Sequence, residues 1–147
     1  MTRAEADEEF GSTPDTGRVL RAGAAGSWSF CLETWNPVGF APRLLDRLSA
    51  GTNAVHCFRN PKCGFFIKHL RDEHIVESFE LDDPESYPSQ EAPLRLAEKY
   101  RSRVSSRASG DPGYDGIWAV LGDLVGVPLD DELVNGALAT VLRPDPS

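Results

Sequence analysis

From Ser27 onward the chain alternates: Trp28, Phe30 and Leu32 take one side, and Ser29, Cys31 and Glu33 the other. That is the period of a half-buried strand, which Asn36-Pro37 and Gly39 end. Leu44, Leu45 and Leu48 then recur at helical spacing over 43–49, after a Pro42 suited to a first turn. Gly51 is placed to stop that helix in a left-handed conformation. Three strand-like runs follow, at 54–58, 65–70 and 74–81, joined by short polar links that predict an antiparallel meander. In the middle run Phe65, Ile67 and His69 share one face, and Phe66, Lys68 and Leu70 the other. Both faces carry apolar residues, so this run alone leaves the buried face open. The second half predicts a helix near 91–101, with Leu94, Leu96 and Ala97 as its apolar content. An amphipathic helix follows, with Ile117, Val120, Leu121, Leu124 and Val125 on one stripe, closed by Gly126 and Pro128. A helical turn at 130–135, capped by Asp130, and a strand at 139–143 complete the pattern. The fold class is α+β: a small antiparallel sheet (strand, helix, three-stranded meander) flanked by C-terminal helices.

Residues 1–18 are polar, acidic and broken by Gly11, Pro14 and Gly17, and read as a flexible leader. The rest reads as one domain over 19–143 and a tail at 144–147, in keeping with 147 residues. A hydrophobic share of 40% suffices for a core and argues against wholesale disorder. The net charge of −8 repels a phosphate backbone on average, which disfavours nucleic acid as a partner. A basic stripe at Arg95, Lys99, Arg101, Arg103 and Arg107 has only Tyr100 interleaved and reads as a solvated helix edge. No apolar run reaches the ~18 residues of a membrane span. The acidic N-terminus is unlike a signal peptide, and three cysteines (Cys31, Cys57, Cys63) make a poor disulfide framework. These features place the protein in the reducing cytoplasm, away from membranes.

Several segments together resemble an actinobacterial domain-of-unknown-function family. They are Gly26-Ser27-Trp28 leading to Glu33, then Gly39-Phe40, then Arg47-Leu48-Ser49-Ala50-Gly51-Thr52-Asn53-Ala54-Val55. Ser78-Phe79-Glu80, Val125-Gly126-Val127-Pro128-Leu129 and Glu132-Leu133 add to the likeness. The family pattern is a tryptophan strand ending in glutamate, an Asn-Gly-aromatic turn and a Leu-Ser-x-Gly-Thr helix end. The resemblance spans about residues 26–143 and implies a fold boundary there, with no catalytic residue carried over. The turn Trp35-Asn36-Pro37-Val38-Gly39 is longer than the family's usual form.

Five of the six histidines and cysteines (His56, Cys57, Cys63, His69, His74) fall in the hairpin region. Cys57, Cys63, His69 and His74 are the candidate metal ligands, since zinc takes thiolate and imidazole. The spacing lacks a Cys-x-x-Cys knuckle, and alternation sends His56 and Cys57 to opposite faces. The ordinary reading is therefore a packed Cys57, with His69 and His74 near solvent. A cysteine nucleophile with a histidine and Glu77 or Glu73 lacks a nucleophile elbow. No phosphate-binding glycine loop is present, and the reading includes no cofactor. Trp35 lies opposite Trp28 in the alternation, so Glu33, Trp35, Asn36 and Phe40 are the candidate binding residues, aromatics being favoured interface anchors. Burial of Trp35 under a helix is the competing outcome. The leading expectation is a non-catalytic protein-binding or regulatory module, of immunity type, masking a basic partner. A hydrolase or metal-dependent enzyme using the hairpin at 56–74 is the alternative.

Overall fold

A computed structural model describes residues 1–10, 18–34, 42–60, 64–81, 93–104 and 114–143. The fold is α+β, built on two three-stranded antiparallel sheets. The chain divides into two compact units, residues 1–38 with 121–147, and residues 39–120.

In the first unit, β1 (Arg18–Ala25) pairs with β2 (Trp28–Thr34) through a tight Gly26-Ser27 turn. Gly26 has φ 59°, the positive value that a hairpin turn with glycine at its first central position requires. β6 (Ala139–Arg143) lies along the other side of β1, giving the order β2-β1-β6. The strand expected near 28–34 thus belongs to a sheet of its own rather than to the meander. Its ring at Phe30 stands over its cross-strand partner Gly23, where a Cβ would come within 2.6 Å of Phe30 Cζ.

The stretch read as a flexible leader carries a helix, α1 (Arg3–Phe10). Thr2 and Glu5 form a reciprocal capping box: Glu5 N–H donates to Thr2 Oγ1 at 3.2 Å, and Thr2 N–H donates to Glu5 Oε2 at 2.7 Å. Those bonds hold the Glu5 carboxyl below its ordinary value. Ala6 is buried, and Leu138 N–H donates to Met1 O at 2.9 Å, so the segment is tied to its unit.

The second unit opens with α2 (Pro42–Ser49), stopped by Gly51 at φ 69° as its position predicts. The expected meander follows as β3 (Asn53–Asn60), β4 (Gly64–Arg71) and β5 (His74–Glu80), with β4 central. Burial resolves the face left open by the sequence. Phe65, Ile67 and His69 point inward on β4, opposite Glu77 and Phe79 of β5. α3 (Leu96–Val104) covers this face with Leu96, Ala97 and Tyr100, the Tyr100 ring lying 6.2 Å from that of Phe79. The division between the units falls within α4 (Tyr114–Val125), whose Trp118 meets Phe65 edge to face at 5.9 Å. α5 (Asp131–Asn135), in the first unit, starts at Asp130, whose carboxylate accepts from Leu133 N–H at 2.9 Å. Among the described residues no helix is long and apolar enough to cross a membrane.

Candidate functional site

The second unit holds a chain of three polar side chains, of which His69 and Glu77 are buried and Asn53 is half-buried. Asn53, His69 and Glu77 sit on three adjacent strands with their side chains on the inner face, because their positions share the parity of Cys57, Ile67 and Phe79. The imidazole of His69 is fully buried, with Nε2 at 3.0 Å from Asn53 Oδ1. Its Nδ1 lies 3.8 Å from Glu77 Oε2, without a hydrogen-bond partner. Both Glu77 oxygens face the first turn of α3: Leu96 N–H donates to Oε2 at 3.0 Å and Ala97 N–H to Oε1 at 2.8 Å. Burial pushes the Glu77 carboxyl upward, but His69 and the two backbone N–H groups outweigh it and hold the carboxyl below its usual range.

This arrangement corrects the expectation that His69 lies near solvent. Asn53 supplies the ring one hydrogen-bond partner in place of water, and the buried Glu77 beside it is in turn satisfied by the first turn of α3. His74 is exposed, with Nδ1 at 2.6 Å from the carbonyl of Asp72 in its own turn. Cys57 is opposite Ile67, not His69, and His56 faces the other way opposite Lys68. Cys63 lies outside the described residues. Among the described residues no group of three His, Cys, Asp or Glu side chains is placed to hold a metal. The structure does bring His69 to the carboxylate Glu77, as the nucleophilic reading required, but it spends both oxygens on capping α3. Asn53 was not singled out from the sequence, although its parity with Cys57 marks it as inward-facing.

Of the candidate binding residues, Glu33 is half-buried on β2, opposite Leu20. Trp35, Asn36 and Phe40 lie outside the described residues. The described surface offers another feature, at the junction of α2 with the β4–β5 turn. Asp72 and Glu73 hold φ at 49° and 67°, the paired positive values of a tight hairpin turn that non-glycine residues adopt at a cost. Ser49 secures the turn from α2: its carbonyl accepts from Asp72 N–H at 2.9 Å and its hydroxyl oxygen from Glu73 N–H at 3.1 Å. The same hydroxyl donates to Asp46 O at 2.9 Å, which leaves Ser49 fully buried and fully bonded.

Leu48 and Ile75 flank this clamp, 57% and 58% exposed, the two most exposed large apolar side chains among the described residues. Simple alternation places Ile75 inward with Glu77 and Phe79. A bulge reverses it: His69 pairs with Glu77 but Leu70 pairs with Ile75, so β5 carries an extra residue, and Ile75 is turned outward.

The thiols differ as sharply as the histidines. Burial pushes the Cys57 thiol up to about 12, while Cys31 is exposed and raised by partial burial and by Glu33. At about pH 8 roughly one Cys57 in ten thousand is thiolate, so its alkylation should be far slower than that of Cys31. Peptide mapping after timed iodoacetamide treatment checks this. Equal labelling of the two in the folded protein would contradict the raised thiol of Cys57. Comparison of the chain with family models, curated proteins and solved structures returns no match.

Proposed function

We propose that this protein is a non-catalytic protein-binding module that docks its partner on the junction of α2 with the β4–β5 turn. The observation that carries the reading is the pair Leu48 and Ile75, exposed side chains mounted on the rigid Ser49 clamp. Apolar anchors held in place by a fixed backbone lose little entropy on binding, and charged residues around them form the rim that excludes water. Arg47, Arg71, Asp72 and Glu73, all exposed, supply such a rim here. The rim carries both signs, so the charge preference comes from the whole molecule. A net charge of −8 draws in a basic partner over a distance and speeds encounter. An immunity-type or regulatory role, in which the module masks a basic partner, follows from that preference.

The test starts from affinity capture at low and high salt, followed by titration of the captured partner with purified protein. Leu48→Asp and Ile75→Asp should each weaken binding by about tenfold or more. The wild-type affinity should fall as salt rises. Both variants binding as tightly as wild type would refute the docking surface. An affinity constant across salt would refute recognition guided by charge.

A further inference from the structure

We propose that Asn53, His69 and Glu77 form an acid-operated latch, which holds the first turn of α3 on its sheet and releases α3 to uncover the apolar face around Phe79. This proposal does not depend on the docking reading.

Among the described residues no local side chain caps the helix. The residue before it is Arg95, at φ 49°, whose side chain points outward into an exposed pair with Glu98 at 3.4 Å. Helices begin with four unsatisfied N–H groups, commonly met by a local Ser, Thr, Asp or Asn. Here two of them, on Leu96 and Ala97, are met by Glu77, 19 and 20 residues back in the chain. At nine residues α3 is too short to persist without tertiary support. Its hold on the sheet includes the Glu77 anchor and the buried apolar side chains of Leu96, Ala97 and Tyr100.

The groups facing Glu77 make the anchor sensitive to acid. From β4 comes His69, from β3 the neutral amide of Asn53 through that ring, and from α3 the N–H groups at the positive end of the helix. The charged residues near this end, Arg95 before the helix and Glu98 and Lys99 on it, are exposed. Among the described residues Glu77 is thus the carboxylate that faces both the imidazole of His69 and the N–H groups of the helix end. Protonating it removes that anion and turns one oxygen from acceptor into donor. The sign follows from the direction of the shift. With its folded-state value lowered, Glu77 stabilises the latch fully above the usual carboxylate range, and that stabilisation disappears as pH falls through the lower value.

Amide hydrogen exchange, corrected for intrinsic rates, tests the latch. In Glu77→Gln near neutral pH, exchange over 96–104 should rise about tenfold or more while β3 and β4 stay protected, with added binding of a hydrophobic dye. The wild-type protein taken down to about pH 3 should show the same selective loss. Retained protection of α3 in both experiments would overturn the proposal. So would simultaneous loss across α3 and the sheet, because a latch opens one element and global unfolding opens all. If Glu77→Gln does not fold, the wild-type pH series decides between these outcomes.

Discussion

Arg21→Met is expected to lower the stability of the first unit by about 3 kcal/mol. Arg21 is 4% exposed, on the inner face of β1, and its guanidinium meets the end of α5. Nη1 donates to Val134 O at 2.7 Å and Nη2 donates to Gly136 O at 2.6 Å. At five residues α5 is a short helix, and both of its ends are bonded. Asp130 serves the N-terminus and the buried cation serves the C-terminus, where the carbonyl dipoles favour positive charge. Methionine keeps much of the apolar stem, so the cavity contribution is small. What remains is the loss of two charge-assisted bonds and two carbonyls left without their donor. Arg21→Lys tests the geometry separately. A single ammonium reaches one carbonyl rather than both, so lysine should recover roughly half of the loss. Urea unfolding followed through β1 and β6 amides measures each value. An unchanged midpoint in Arg21→Met would mean that the guanidinium contributes nothing to the end of α5.

Arg21 also explains why the first unit was hard to read. The inward positions of β1 hold Arg21, Gly23 and Ala25: a cation, no side chain and a methyl. Alternation is recognised through large apolar side chains, and here they stand on the partner strand, at Trp28, Phe30 and Leu32. The meander, α2 with its Gly51 stop, the 117–125 stripe, the Asp130 cap and the strand at 139–143 were legible because each carries its signal locally. α1 carried a signal too, the Thr2-x-x-Glu5 box, obscured by acidic composition and the lack of an apolar stripe.

The candidate sites fail to show in the sequence for a different reason. Glu77 caps a helix that starts at Leu96, and no local pattern joins a strand carboxylate to a helix so distant in the chain. Arg95 in the cap position even argues against a helix start. The bulge in β5 hides Ile75 likewise, since one extra residue inverts the alternation on which face assignment rests. The grouping of histidines and cysteines was legible as composition, but strand register decides which of them meet. Register brought His69 to Glu77 and Asn53 and sent His56 and His74 elsewhere.

Gly26→Ala isolates the cost of a close backbone approach, with Gly126→Ala in the same unit as its control. Both glycines have positive φ, 59° and 79°, and alanine in that region costs about 1 kcal/mol. Around Gly126 a new Cβ meets nothing within 4 Å, so its substitution should show that conformational cost alone. At Gly26 a Cβ would lie 2.3 Å from the carbonyl oxygen of Val125. That oxygen cannot rotate aside as a side chain would: it belongs to the last turn of α4, pinned by the Gly126 N–H to Gly122 O bond at 2.8 Å. Relief requires moving either the helix end or the β1–β2 turn, and the turn is fixed by the Ala25–Trp28 pair beside it. The total for Gly26→Ala is therefore about 3 kcal/mol, threefold the control. Equal losses in the two variants, measured by urea unfolding, would mean that the turn and the helix end stand further apart, whereas a threefold ratio places the carbonyl of Val125 against Gly26 in solution.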